Sequence, residues 1–186
     1  WTVRGSGELE CALSADALRD EMPVLPRFGF EFMLVKGSER VEWFGRGPGE
    51  SYIDKFNAAR FGRFKANVSE LTEHYIMPQE NGSHANTRFA GITDRRGLGL
   101  AILGKPEFSF SAHHYTTQDF QNAAHDHELV ARPETVVNID YRQHGIGTAS
   151  CGPYMSERYR FCEKHFSFAF RLRPYFSEDT ELDALY

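Results

Sequence analysis

The amino-acid sequence predicts an all-β fold, a single antiparallel β-sandwich with long decorated loops. Three observations predict it. Aromatic residues make up 14% of the chain, and Phe alone supplies 16 of its 186 residues; such side chains favour the half-buried, pleated surface of a strand. Phe28, Phe30, Phe32 and Leu34 alternate with Gly29, Glu31 and Met33, and Phe166, Phe168, Phe170 and Leu172 repeat the pattern near the C-terminus. A period of two buries one face of a strand. Short strand-like runs are also separated by Gly, Pro, Asn and Asp, as in sandwiches and barrels.

Taken in order, the expected strands are 1–3, 8–14, 27–35, 39–44, 87–92, 99–105, 107–113, 128–130, 135–142, 158–162 and 165–172. Only two stretches have a helical character, 57–66 and 117–124, the second following a Thr cap. The chain reads as one β-sandwich domain over 1–176, with an acidic, poorly ordered tail over 177–186. It begins on Trp1 without Met and already inside a strand, so it reads as the later part of a larger parent domain.

The formal net charge is -5, and no block of Lys or Arg appears. That argues against a nucleic-acid or anionic-membrane partner. No apolar run is long enough to cross a bilayer. Cys11, Cys151 and Cys162 are an odd number in a chain of this length, so reduced thiols are the simpler reading. The sequence itself names no compartment; the cytoplasm is favoured.

Three loops carry the specific signals. The first is Trp43-Phe44-Gly45-Arg46-Gly47-Pro48-Gly49-Glu50-Ser51-Tyr52-Ile53-Asp54-Lys55, whose glycines open backbone shapes closed to other residues and whose charges can pair within a rigid corner. The second is Tyr75-Ile76-Met77-Pro78-Gln79-Glu80-Asn81-Gly82, where Glu80 and Asn81 offer directional partners for sugar hydroxyls. An ordinary turn closed by Asn81-Gly82 explains the same residues. The third runs from Asn138-Ile139-Asp140 through His144-Gly145-Ile146-Gly147 to Cys151-Gly152-Pro153.

Together, in this order and at this spacing, the loops resemble the C-terminal domain (the small chain, or domain 5) of the large LacZ-type β-galactosidases of glycoside hydrolase family 2. The resemblance spans about Trp1 to Arg173. It implies the β-supersandwich fold shared with galactose mutarotases, and an earlier part of the parent carrying the rest of this domain and the others. It also implies hydrolysis of terminal β-D-galactosides by the parent, with both catalytic glutamates in a preceding (β/α)8 barrel. The resemblance implies as well that a loop of this domain lines the aglycone side of the site, with the family's aromatic position falling at or beside Cys151. Cys offers no flat face for a sugar ring, which departs from the family pattern. His144 is a polar contributor at the same rim, with a hydrogen-bonded structural histidine as the competing reading. The family commonly uses Mg and Na, at sites mainly in other domains, so none is expected in this chain. The expected partners are the galactoside and the parent's other domains. Self-association is expected too, because an unpaired sheet edge invites pairing.

A retaining glycosidase needs two carboxyl groups about 5–5.5 Å apart. Residues i and i+2 on a strand lie roughly 6.5–7 Å apart, and Asp126 with Glu128 and Glu8 with Glu10 are the local candidates. Both pairs sit in polar surroundings, as ordinary solvated faces do, so no catalytic residue is assigned here. The eight histidines cluster no more closely than in pairs, His113 with His114 and His125 with His127, whereas zinc needs three or four converging ligands. No metal site is assigned. Two other functions remain: a mutarotase-like sugar epimerase, pairing His125 or His127 with Glu80, and a non-catalytic carbohydrate-binding module. The coding sequence upstream of Trp1 separates them from the first.

Overall fold

The computed structural model describes residues 1–17, 23–147 and 152–186. Nine strands dominate it: β1 (Thr2–Val3), β2 (Leu9–Asp16), β3 (Arg27–Leu34), β4 (Arg40–Gly47), β5 (Arg60–Asn67), β6 (His84–Thr93), β7 (Leu98–His113), β8 (Thr135–Gln143) and β9 (His165–Phe176). Every pairing is antiparallel. The main path runs β1-β2-β9-β7-β6-β4-β5, and β3 joins through β8 to β7. The all-β, sandwich-type reading therefore holds.

The long strand β7 makes this arrangement. Its first half, Leu98 to Lys105, pairs with β9, and its second half, Ser109 to His113, pairs with β8. One strand thus serves two sheet regions, with Pro106, which has no N–H to donate, between them. The 99–105 and 107–113 strands expected separately are one element. Alternation along β7 sends Ile102 into the main core with Trp43, Phe110, Ile139 and Phe170, while Ala101 and Leu103 enter a smaller cluster with Phe89 and Tyr175. Successive side chains point to opposite faces, so β7 is covered on both sides.

Four expectations change. Residues 57–66, read as helical, contain most of β5, which pairs with β4 from Arg40↔Asn67 to Gly47↔Arg60. Gly62, Phe64 and Ala66 turn towards the sheet and the charged Arg63 and Lys65 turn outward, a period of two that overrides helix propensity. Residues 128–130 and 158–162 are not strands; short 3-10 turns occupy Asp126–Glu128 and Glu157–Tyr159. The acidic segment 177–186 is not loose. It carries a 3-10 turn at Leu182–Ala184, and Leu182 and Leu185 are buried in the smaller cluster. By contrast the expected helix near 117 forms over Thr117–Asn122, and Thr116 caps it by accepting from the Asp119 N–H at 3.1 Å.

The first loop also starts later than its glycines suggest, because β4 runs on to Gly47. Gly45 and Gly47 are there for space rather than for unusual backbone shape. A Cβ on Gly47 would lie 2.8 Å from the Phe64 ring and 2.9 Å from Trp43, and one on Gly45 would strike Thr87. On its outer side β3 has no hydrogen-bonded neighbour among the described residues. No helix of the described residues is long and apolar enough to cross a membrane.

Candidate functional site

The three loops singled out by sequence meet at one end of the sheet and are tied together by side chains. Glu50, buried in the first loop, accepts the Gly82 N–H at 2.9 Å and is bonded through its other oxygen to the Tyr75 hydroxyl and the Lys55 ammonium. It therefore grips the second loop near both ends. Ser51 repeats the contact, donating its backbone N–H to the Ser83 carbonyl at 2.7 Å and accepting the Ala85 N–H on its side-chain hydroxyl at 2.9 Å. The Tyr52 hydroxyl donates to Glu80 Oε1 at 3.3 Å and accepts from the Ser83 N–H at 3.4 Å.

Arg27, the first residue of β3, sits at the centre of this network. It donates from Nε and Nη2 to the two oxygens of Asp140 at 3.2 and 2.5 Å, and from Nη1 to Glu80 at 2.9 Å. A guanidinium fork matches a carboxylate in this bidentate way, and the geometry is among the stronger hydrogen-bonded ones. Gln143 adds a bond to Asp140 at 2.8 Å. The register explains the meeting: β3 pairs with β8 as Arg27↔Gln143 and Gly29↔Asp140, with a shift between Phe28 and Gly29. A Cβ on Gly29 would lie 2.7 Å from Asp140 Cα, so only glycine allows the strands this close. Burial pushes the Asp140 and Glu80 carboxyls above their ordinary range, against the pull of Arg27. Burial also works to lower Arg27, but the Asp140 and Glu80 charges leave it raised. Tyr52 is pushed well above the usual phenol range, by burial first and by the Glu80 charge second. The cluster is thus a charged knot whose members hold one another.

The third loop is fixed by Asp54. Its carboxylate accepts the N–H of Ile146 at 3.2 Å and of Gly147 at 2.6 Å. Gly147 has φ 59, a left-handed conformation that favours glycine. His144 donates its backbone N–H to the Pro26 carbonyl at 2.9 Å, while its buried Nδ1 has no hydrogen-bond partner among the described residues. Beside these loops lies a cavity of about 350 Å³ lined by Tyr52, Ser83, Asn86, Ser109, Tyr141 and Gln143 among others.

The four residues picked out by sequence end up in different situations. Glu80 is half-buried and committed to Arg27 and Tyr52. Asn81 is buried and folds into its own turn, accepting from the Glu73 N–H at 3.0 Å and donating to the Gln79 carbonyl at 2.9 Å. His144 stands at the Asp54-fixed loop with one ring nitrogen unanswered. Cys151 lies outside the described residues. Sequence reasoning misses Arg27, gives no role to Asp140, and expects Asp54 to pair within the first loop, whereas it bonds the backbone of the third.

The local carboxylate pairs are ion-pair partners. Glu8 lies 3.4 Å from Arg4 and 3.3 Å from Arg171. Glu10 is held down to about 2 by bonds from Lys105 and Arg4. Asp126 meets His74 at 3.0 Å and Glu128 meets His125 at 3.1 Å. His125 and His127 lie around a 3-10 turn with stacked rings 5.5 Å apart, rather than on one strand face. Buried His113 bonds Thr72 at 3.0 Å and the Asn81 carbonyl at 3.1 Å, whereas His114 meets Glu39 at 3.0 Å. Among the described residues no group of three or more His, Cys, Asp or Glu is placed to hold a metal ion. Cys11 and Cys162 are free thiols, buried and exposed respectively.

The fold and the loop cluster define a β-sandwich with three loops clamped to one another by buried and half-buried charged side chains. Comparison with known proteins places it. Residues 1–172 match the family described as beta galactosidase small chain. The beta-galactosidase of Staphylococcus xylosus is 38% identical over 175 residues, covering 93% of this chain and 17% of that protein. The beta-galactosidase of Actinobacillus pleuropneumoniae is 35% identical over 164 residues, 88% of this chain and 16% of that protein. That of Kluyveromyces lactis is 36% identical over 151 residues, 81% of this chain and 14% of that protein. The chain belongs to the beta galactosidase small chain family, and the matched region spans only 14–17% of the length of these relatives.

Proposed function

We propose that this chain is the accessory C-terminal domain of a β-galactosidase that hydrolyses terminal β-D-galactosides. In this reading it completes the rim of the carbohydrate site, and the two catalytic carboxylates come from elsewhere in the enzyme. The observation that carries the proposal is the clamping of three separate loops by Arg27, Glu50 and Asp54 at one end of the sandwich. A sandwich that served only as packing would have little use for so much charge at its loop end, since loops positioned by a rigid scaffold are where binding groups are presented. The second loop supports docking as well. Its ends are fixed through Tyr75 and Glu80, yet Ile76 and Met77 between them are 88% and 71% exposed. Two adjacent apolar side chains held out on an anchored loop suit contact with the rest of the polypeptide.

The test is made in the complete enzyme with His144→Ala and Cys151→Trp. At the rim, His144→Ala raises KM severalfold and leaves kcat nearly unchanged, because a contact equal in ground and transition states is lost. Cys151→Trp lowers KM for galactosides with a planar or sugar aglycone, by stacking. If Cys151 is instead a small core residue, Trp overpacks it at about 1–3 kcal/mol. A fallen melting temperature with unchanged KM in both variants contradicts the proposal.

A further inference from the structure

We infer that Asp54 is a positioning residue for the substrate rim, acting by holding the 144–147 loop through its backbone; this rests on the rim reading above. Its two oxygens each take one of the consecutive N–H groups of Ile146 and Gly147, at 3.2 and 2.6 Å. Consecutive N–H groups around an anion form a concave cradle of fixed partial charge, here filled by a side chain from 92 and 93 residues earlier. Among the described residues no Lys, Arg or His forms an ion pair with Asp54. Its charge is therefore spent on the loop backbone.

The fit leaves no slack. A Cβ on Gly145 would lie 2.6 Å from Asp54 Cγ, and Gly147 takes φ 59 to present its N–H. Asp54 itself sits in the loop that Glu50 and Ser51 lock to the second loop. The chain of contacts runs from the sheet through the first loop to Asp54, and from Asp54 to the loop that carries His144. The buried Nδ1 of His144 has no partner among the described residues, and its backbone N–H is tied to the Pro26 carbonyl. Asp54 is thus placed to set where that imidazole stands without touching the substrate itself.

In the complete enzyme, Asp54→Asn keeps the side-chain size but turns an NH2 group towards one of two N–H donors. KM for an aryl galactoside is expected to rise about tenfold, with kcat within about twofold. Gly145→Ala, whose methyl strikes the carboxylate, should raise KM to a similar degree. In an Asp54→Ala background the same Gly145→Ala change should add less than about twofold, because the group it strikes is gone. That non-additive KM pattern is not produced by a loop that only stabilises the fold. Additive effects, or parallel losses of kcat and melting temperature, overturn the inference. If His144→Ala raises KM while Asp54→Asn does not, Asp54 is not the positioning group and the rim reading stands. If neither changes KM, the rim reading itself is wrong.

Discussion

Replacing Arg27 with Met is expected to destabilise the domain by about 3 kcal/mol, at the lower end of the cost of removing one partner from a buried ion pair. The full range applies to groups wholly out of water. Asp140 qualifies, with 2% of its side chain exposed, but Glu80 keeps 33%, so part of its charge stays solvated. For a domain of this size the loss corresponds to a melting temperature lower by on the order of 10 °C. The loss depends on pH, with a definite sign. Both carboxyls are already pushed up by burial with Arg27 present, and without it they neutralise more readily. A neutral carboxyl needs no guanidinium, so the gap between wild type and Arg27→Met should shrink as pH falls from 7 to 5. A gap that stays constant or widens would mean that the carboxylates are not held charged by Arg27.

Acidification of the wild-type chain has the opposite effect, and the cause lies in two other residues. His84 and His113 are fully enclosed, and burial lowers both to about 4. His84 lies 4.4 Å from the Trp43 ring and 5.1 Å from Phe110, donates Nδ1–H to the Arg46 carbonyl at 3.3 Å, and leaves Nε2 without a partner. Glu50 favours its charged form and His113 opposes it. Around His113, Arg27 and His114 oppose the charged form and Glu50 favours it. In the unfolded chain each histidine returns to about 6.5. The unfolded state then binds more protons than the folded one between about pH 6.5 and pH 4, so stability is present above that window and is lost as pH falls through it. Each histidine contributes a loss of about 2 kcal/mol by pH 5. Glu80 and Asp140, raised in the fold, oppose the trend at the acidic end because protonation favours their folded state. Urea unfolding at pH 7.5 and pH 5 measures the sum. His84→Phe, which keeps a ring against Trp43, should remove about half of the difference, and a flat profile in the wild type would contradict the account.

The parts of the fold that were legible in the sequence are those where one face is clearly apolar. The alternation from Phe28 to Leu34 became β3 and that from Phe166 to Leu172 lies within β9. β5 was read as helical because one face carries Arg63 and Lys65 and the other only Gly62, Phe64 and Ala66, too little apolar contrast to outweigh a helical propensity. The 177–186 segment was misread because its acidic composition hid Leu182 and Leu185, whose burial depends on a surface built by distant strands. The site divides in the same way. Turn chemistry marked all three loops, since Gly, Pro and Asn act locally. Arg27 could not be found like this: nothing beside it in sequence tells of Asp140, 113 residues away, which the β3–β8 register brings to it. Glu80 and Asn81 were singled out for their hydrogen-bonding capacity, and in the structure that capacity is spent on Arg27, Tyr52 and the turn backbone.

The central claim is that this chain completes a β-galactosidase site without supplying its catalytic carboxylates. Hydrolysis of an aryl galactoside, measured for the isolated chain, for the remainder of the enzyme and for the two combined, tests it most directly. The two carboxyl groups needed for retaining hydrolysis must stand about 5–5.5 Å apart and differ in protonation. Here Glu10 is pinned to Lys105 and Arg4, Asp126 to His74, Glu128 to His125, and Glu80 with Asp140 to Arg27. The account predicts no activity for the chain alone, a defective remainder, and recovery on mixing that saturates as the chain is titrated in. Hydrolysis by the chain alone that disappears in Asp126→Ala or Glu128→Ala would contradict it, as would a remainder fully active without the chain.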